Sequence, residues 1–337
     1  MSRIYKIYIL FDIKEEPWGG GNQFLRLLRE ELVRLGIYTN KAKEADIIIF
    51  NSHHKLIKAL SYKLLFKNKF FVHRVDGPIS LIRGDNLKLD KKIFYFNELL
   101  SDLTIFQSNY SFNKTAELNL YNNKSYKVIL NGSCDKTFKN ESRKIGWNSK
   151  FKIIISSWSN NFNKGFDCYK WIDENLDFNM YQVTFIGNSP IKFKNILKVN
   201  PQSSHQLSEF YKKSHLYLTA SKHDTCSNSL IEAIISGLPA LAFNDGGHPE
   251  IIKSHGLTFN NFNEIPAKLN EIKNNYDQFI MGTDKLTIKY VCKEYVENFK
   301  SFFEEFNETK KLTLLKYIKV LIYVFFNYFE SKFNQSI

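Results

Sequence analysis

The chain has 337 residues, more than one hydrophobic core usually serves, so its length predicts two domains. The formal net charge of +13 favours anionic surfaces, but no recognition motif or basic–aromatic repeat indicates nucleic-acid binding. The four cysteines form no C-x-x-C pair and no zinc spacing, and no secretory segment precedes the first strand. We expect a protein of a reducing, cytoplasmic setting, without cofactor or essential metal.

The first half of the chain alternates apolar strand-like runs with helical segments, which is typical of a doubly wound α/β unit. A strand is predicted from Ile4 to Phe11, and Trp18-Gly-Gly-Gly21 leads from it into an amphipathic helix that extends to Leu35. Glycines at such a turn let a ligand approach the backbone. We therefore expect Gly20 and Gly21 to contact a phosphate or an acceptor substrate, with a merely mobile loop as the alternative.

Charged residues follow one of the next predicted strands, Lys69–His73, in the turn Arg74-Val-Asp76. Alternation along a strand places His73 on one face and both Arg74 and Asp76 on the other. The two charged side chains are therefore expected to act together, and His73 is either a core residue or a site residue. A purely structural Arg74–Asp76 pair is the alternative.

The most informative segment begins with the predicted strand His215–Ala220 and continues through Asp224, Ser227-Asn228-Ser229 and Glu232. A helix is predicted to begin at the three small polar residues. Its first N–H groups and the positive end of its dipole favour a phosphate at that position. The segment therefore predicts a site for a phosphorylated ligand.

A further predicted strand, Ala240–Phe243, precedes Gly246-Gly247-His-Pro-Glu250. In an open parallel sheet, ligands bind beyond the carboxyl ends of the strands. Asp224, Glu232 and the two glycines are therefore expected to line one edge of a cleft, where Asp224 would accept hydrogen bonds from sugar hydroxyls and Glu232 from a ribose diol. The alternative is that Asp224 caps the helix and Glu232 is an ordinary surface acid.

The whole order of residues resembles the donor-binding signature of the family 4-type retaining glycosyltransferases (glycosyl transferases group 1), which have the GT-B fold. That family carries two acids separated by seven residues, then Glu-Ala, Gly-x-Pro and Gly-Gly-x-x-Glu. The corresponding residues here are Asp224, Glu232-Ala233, Gly237-Leu-Pro239 and Gly246–Glu250. Asp224 departs from the family pattern, which has the longer Glu at this position.

In the resembling family, a loop after the first strand of the second domain supplies an Arg and a Lys that hold the donor diphosphate, the Lys preceding a Gly. Lys164-Gly165 fits this pattern after the predicted strand Phe151–Ser156, but the loop contains no arginine. Asn160, Asn161, backbone amides or a basic residue from elsewhere must take the place of the arginine.

The resemblance implies an α/β protein of two doubly wound Rossmann-like domains facing a cleft, with an extra C-terminal basic amphipathic helix. The implied organisation is an acceptor-side domain at 1–133, a linker at 134–149, a nucleotide-sugar-binding domain at 150–307 and a basic tail at 308–337. The tail contains an apolar run of about ten residues, half of what a membrane span needs. Its lysines and aromatic residues favour a helix lying on an anionic membrane surface, with packing across the cleft as the alternative.

The implied function is transfer of a sugar from a nucleoside-diphosphate sugar to a growing surface polysaccharide or a lipid-linked saccharide, in the cytoplasm or at the inner face of the cell membrane. The implied catalytic residues are Asp224 and, on the acceptor side, Asp76 or His73, since similar enzymes place a polar residue at that strand end. The implied donor-binding residues are Lys164, Ser227, Asn228, Ser229, Glu232, Gly20, Gly21, Gly246 and Gly247. A non-catalytic sugar-binding scaffold and a nucleotide-sugar epimerase of the same fold are the alternatives.

Overall fold

The computed structural model describes residues 5–15, 19–66, 68–84, 87–122, 125–140, 150–280 and 283–306, together with Ile318 and Ile322. Trp18, part of the predicted linker (141–149) and the tail apart from those two isoleucines lie outside this set. Ile318 and Ile322 are helical and exposed. In the part of the chain that the structure describes, no helix is long and apolar enough to cross a membrane.

Two parallel sheets organise the molecule, with helices packed on the faces of each. The strands of the first sheet are β1 (Ile7–Leu10), β2 (Ile47–Asn51), β3 (Phe70–Val75), β4 (Leu103–Phe106) and β5 (Tyr126–Val128). Its helices are α1 (Gly20–Arg34), α2 (Leu56–Leu65), α3 (Ile79–Arg83), α4 (Lys88–Leu100) and α5 (Asn109–Glu117).

The strands of the second sheet are β6 (Phe151–Ser157), β7 (Tyr181–Gly187), β8 (Leu197–Val199), β9 (Leu216–Thr219), β10 (Ala240–Phe243) and β11 (Gly256–Phe259). The later helices are α6 (Phe166–Asn175), α7 (Ser204–Lys212), α8 (Asn228–Ile235), α9 (His248–Ile252), α10 (Ile265–Asn274), α11 (Tyr276–Phe279) and α12 (Ile288–Phe306).

The chain winds in both directions within each sheet. In the first sheet the strand order is β1-β2-β3-β4-β5, and the backbone of Ile7 also bonds to the carbonyl of Ile37 and the N–H of Thr39. Because both hydrogen-bonding groups of Ile7 point to that segment, it flanks β1 on the edge opposite β2. In the second sheet the order is β11-β10-β9-β6-β7-β8, so the direction reverses beside β6. The predicted doubly wound α/β fold is confirmed.

Apolar clusters cover both faces of each sheet, which is why the strands are near-continuous apolar runs. Helix α12 differs from the predicted organisation, which places it in the second domain. Its apolar stripe, including Val291, Tyr295 and Phe299, packs with Phe24 and Leu28 of α1 in the core of the first domain. A stripe at helical spacing must be buried against some apolar surface, and the chain reaches this one by crossing back from the second domain.

A carboxylate of the second domain binds the N-terminus of a helix in the first domain. Glu250 accepts hydrogen bonds from the backbone N–H groups of Asn109 and Tyr110 and from the Asn109 side-chain amide, each at 2.8 Å. These N–H groups belong to the first turn of α5, where negative charge also complements the helix dipole. The Tyr110 hydroxyl and His223 Nδ1 form a further bond of 2.8 Å across the same boundary. These contacts fix how the two domains face each other.

Reversing the charge at this contact should loosen the arrangement of the domains. In Glu250→Lys, an ammonium replaces the carboxylate at the positive end of α5, which we expect to disfavour the contact by about 1–2 kcal/mol. The measurement is the radius of gyration by small-angle X-ray scattering, which should increase. The control is Glu264→Lys, because Glu264 bonds only within its own surface loop to Asn260 and Asn261. An unchanged radius in the Glu250 variant would contradict the role of this contact.

Candidate functional site

A cavity of about 550 Å³ lies between the two domains where the strand order of the second sheet reverses. The loops that follow β6 and β9 leave the sheet on either side of this switch point, so no crossover connection covers the space between them. Side chains from these two loops, from α7 and α8, and from α1 of the first domain line the cavity. The site is therefore shared between the domains.

Lys164 and Asp224 meet on the second-domain wall. The ammonium of Lys164 lies 2.9 Å from Asp224 Oδ2, and both side chains line the cavity. Burial by itself raises the pKa of Asp224, but the nearby charges of Lys164 and His248 and hydrogen bonds from Lys164 and the Cys226 backbone outweigh it and hold the pKa below its usual value. Asp224 is therefore an ionised carboxylate with a cationic partner in a mostly dry site.

Two glycines permit this pairing. Gly165, directly after Lys164, has φ of +91°, and a Cβ at this position would lie 2.5 Å from the carbonyl oxygen of Ala220. Gly246 has φ of +65°, and its Cβ would lie 2.3 Å from the carbonyl oxygen of Asp224. Only glycine tolerates both the left-handed conformation and the close approach. The sequence predicted that Gly246 and Gly247 line the cavity, but they are not among its lining residues. Instead, their backbone packs against the backbone of Asp224 and Thr225 and supports the Asp224 loop.

Glu232 is the second carboxyl group in the cavity, one helical turn into α8. It is 4 % exposed, and its Oε1 accepts a hydrogen bond of 2.6 Å from Gln23 Nε2 of the first domain. Burial raises the pKa of Glu232 to about 8, although the bond from Gln23 lowers it. The structure thus excludes the alternative of an ordinary surface acid. Asp224 and Glu232, the two carboxyl groups on the second-domain wall of the cavity, have opposite tendencies, one ionised and one close to neutral.

The small polar residues at the start of α8 lie in the cavity wall, as predicted. Ser227 occupies the cap position without a capping bond from its side chain, and α8 begins at Asn228. The hydroxyl of Tyr217, on β9, donates to Ser229 Oγ at 2.7 Å. Asn228 bridges the domains: its Nδ2 donates to the carbonyl of Gly20, and its Oδ1 accepts from Asn131 Nδ2. The first turn of α8 is therefore ordered by contacts from both sides.

Gly20 and Gly21 form the first turn of α1 and line the cavity on the first-domain side. That turn contains no acidic residue and no side-chain cap, so its positive end faces the cleft uncompensated. Asn22 fixes the loop before it, because its side chain bonds both the N–H and the carbonyl of Lys14 at 2.8 Å. Gly20 lies against Asn228 at the start of α8, and both glycines line the cavity, consistent with the predicted ligand contact.

Asp76 belongs to a polar network around a fully buried arginine. Arg74 bonds to Asn51 at 2.6 Å, to Asn131 at 2.7 Å and to Asp76 at 3.3 Å, as the predicted pairing requires. Asp76 also accepts from the side-chain amide of Gln107. Asn131 and Gln107 line the cavity, whereas Asp76 lies behind them. Asp76 is therefore connected to the cavity by its hydrogen bond with Gln107.

His73 is a core residue and does not face the cleft. It is 0 % exposed, its ring stacks on Phe50 with centroids 4.1 Å apart, and its nitrogens bond to the carbonyl of Ser52 and the amide of Asn97. Burial lowers its pKa to about 4, so the ring is neutral. The alternation along β3 turns His73 toward the core on one face while Arg74 faces the other. The prediction of His73 as an acceptor-side residue is corrected accordingly.

Sequence reasoning missed several residues of the cavity, including Gln23, Arg26 and Trp158. Arg26, one turn after Gln23 on α1, is a basic residue from outside the loop that lines the cavity and also pairs with Glu30. Asn161 is unsuited to replace the missing loop arginine, because its side chain already donates to the carbonyl of Ile82 and accepts from the N–H of Asn163. Only the helical spacing of Gln23 and Arg26 after the glycines could have indicated their common face.

The described residues include no group of three or more His, Cys, Asp or Glu side chains that could hold a metal ion. Cys226 lines the cavity, but burial raises the pKa of its thiol to about 12, and its sulfur accepts a bond from the Asn131 N–H. It is thus a poor nucleophile. The polar groups that converge on the cavity are carboxylates, amides, hydroxyls and cations, which suit a hydroxyl-rich anionic ligand.

Comparison with known proteins agrees with this geometry. Residues 193–289 match the family model described as Glycosyl transferases group 1. The chain is 27% identical over 282 residues to an uncharacterized 41.2 kDa protein in the cps region of Klebsiella pneumoniae, covering 78% of this chain and 76% of that protein.

Solved structures share the fold. HepE from Anabaena, in complex with UDP and glucose, superposes with a TM-score of 0.69 at 12% identity, covering 88% of this chain and 100% of that one. Sucrose-phosphate synthase from Thermosynechococcus elongatus gives a TM-score of 0.64 at 13% identity, covering 89% and 97%. The resemblance inferred from the sequence is confirmed: the chain is a glycosyltransferase with the GT-B fold, and its second domain carries the glycosyl transferases group 1 sequence.

Proposed function

We propose that the chain moves a sugar from a nucleoside-diphosphate sugar to a saccharide or lipid-linked acceptor of surface polysaccharide biosynthesis, with retention at the anomeric carbon. The observation that carries the proposal is the convergence of Lys164, Asp224 and Glu232 on one cavity at the switch point. The complex of HepE with UDP and glucose and the cps-region relative support the donor class and the pathway.

The donor diphosphate would lie in the cavity beside the first turns of α1 and α8, both of which line it. Each helix presents unpaired N–H groups and roughly half a positive charge at its N-terminus. The glycines of α1 and Ser227–Ser229 of α8 supply these groups, and Lys164 adds a full charge. As the bond to the anomeric carbon breaks, negative charge grows on the diphosphate, and these preorganised groups would stabilise it.

The two carboxyl groups would hold the two sugar rings of the donor. Asp224 lies beside Lys164, where the diphosphate meets the transferred sugar, and its ionised oxygens accept hydrogen bonds from sugar hydroxyls. Glu232, one turn further along α8, would accept from the ribose diol. Each hydrogen bond to a charged acceptor contributes about 1.5–3 kcal/mol.

The acceptor would approach from the first domain. Asp76 would act there indirectly. It accepts a hydrogen bond from Gln107, and Arg74 donates one to Asn131, so Asp76 and Arg74 would orient these two cavity-lining amides. On its sequence alone, the basic tail at 308–337 would bring the chain to an anionic membrane surface at the cytoplasmic face, where lipid-linked acceptors are found.

Thermal stabilisation by a panel of UDP-, GDP-, ADP- and CMP-linked sugars tests the donor assignment. One nucleotide class should stabilise the protein by about 2.7 kcal/mol at a hundredfold excess over its dissociation constant. At pH 9, where the Glu232 carboxyl group is ionised, Glu232→Gln should weaken that donor about tenfold or more, because one charged hydrogen bond is lost.

The matched control is Glu209→Gln, since Glu209 pairs with Lys212 on the surface, and it should bind like the wild type. Failure of every donor to stabilise the wild type would refute the proposed function. Turnover of the donor sugar into an epimer without any acceptor would instead identify an epimerase.

The pH dependence of stability gives a second test. The pKa of Glu232 is about 8 in the folded protein, above the ordinary value of about 4.3, so the folded state binds this proton more tightly than the unfolded state does. Glu232 therefore lowers stability progressively as the pH rises from about 4.5 to 8. Glu232→Gln removes this loss, and we expect its Tm to exceed that of the wild type by roughly 2 °C or more at pH 8.5 and to match it at pH 4.5. If the Tm of the two proteins changed with pH in parallel, the pKa of Glu232 would not be raised by burial.

A further inference from the structure

Among the residues that the structure describes, one side chain donates a hydrogen bond to the Glu232 carboxyl group, and it comes from the other domain. Gln23 Nε2 donates to Glu232 Oε1 at 2.6 Å, linking α1 to α8 across 209 positions of sequence. Both residues line the cavity. Glu232 thus keeps a hydrogen-bond partner only while the first turn of α1 lies against α8.

Neighbouring contacts hold α1 in this place. Asn228, one turn before Glu232, donates to the carbonyl of Gly20, one turn before Gln23. A Cβ on Gly20 would come within 2.9 Å of the Asn228 amide, so the two helix starts are already in close contact. The pairs Gly20–Asn228 and Gln23–Glu232 therefore align the two helices turn by turn along the cavity.

We infer that Gln23 is a positioning residue of the donor site: from the opposite domain, it orients the Glu232 carboxyl group toward a ribose diol and favours the ionised form of that group. The inference rests on the proposed function and extends it, because recognition of the ribose then depends on contact between the domains.

The physical basis is the stabilisation of a buried anion. Burial favours the neutral form of Glu232, while the N–H of Gln23 favours the anion. The titratable groups that face Glu232 are Tyr211 of α7 and Tyr217 of β9, and burial raises the pKa of both, so they are neutral at ordinary pH. Gln23 is therefore the neighbour that opposes the effect of burial.

The test replaces Gln23 with Met, which has similar length and no donor. In Gln23→Met the carboxylate loses its stabilising N–H, so we expect affinity for the nucleotide sugar selected by the donor panel to fall about five- to tenfold at pH 7. The deficit should narrow as the pH rises to 9.5, because excess hydroxide ionises Glu232 in both proteins. Isothermal titration calorimetry at several pH values measures this, and Gln278→Met, on the exposed surface of α11, is the control.

A double-mutant cycle separates positioning from general damage. In the Glu232→Gln background, Gln23→Met should add less than a twofold further loss of affinity. A full additional loss, or a deficit equal at every pH, would overturn the inference, as would unchanged affinity of the single variant.

A measurement without ligand separates failure of this inference from failure of the proposed function. The Tm of Gln23→Met should fall further below that of the wild type at pH 9 than at pH 5, because the lost bond matters most to the anion. A constant Tm difference would reject the contact. If no donor binds the wild type, the proposed function fails, and these curves still decide the role of Gln23.

Discussion

The reversal of strand order beside β6 is the constraint on which the site depends. The chain leaves β6 toward β7 and later places β9 on the other side, so the loops after these two strands diverge and leave an open crevice. Lys164 lies in one loop and Asp224 in the other, and their ion pair joins the two across the crevice. The glycines that follow or support these loops are required because the backbones approach too closely for a side chain.

Two carboxyl groups share this crevice and differ in charge because their surroundings differ. Asp224 has a lysine at hydrogen-bonding distance, whereas Glu232 has an uncharged amide and little solvent. Acids whose surroundings push their pKa values apart are concentrated at functional sites. Asp224 precedes α8 and Glu232 lies one turn into it, so the two different environments are close together in the chain.

The first domain contributes a wall of the cavity that is built around a buried arginine. Arg74 is fully buried and joins Asn51, Asp76 and Asn131, while its guanidinium lies 4.6 Å from the ring centre of Phe24. Helix α12 covers the same core from the other end of the chain. A buried cation that bonds to several acceptors fixes their positions, and through Asn131 this order reaches Asn228 at the start of α8.

The alternation of strands and helices could be predicted from the sequence, and so could most of the residues that form the second-domain wall of the cavity. Lys164, Asp224, Ser227–Ser229 and Glu232 follow their strands at short distances, so strand-end topology places them together. Alternation along β3 also separated His73 from Arg74 and Asp76, although only the structure decided that His73 is turned into the core.

Tertiary structure alone decided which groups of the first domain complete the site. Gln23 meets Glu232 across 209 positions, and Asn131 meets Asn228 across 97. No local propensity or periodicity encodes such contacts, because they depend on how two independently wound domains dock. The return of α12 to the first domain has the same cause: an amphipathic stripe shows that a helix must be buried, while the docking of the domains determines against which core.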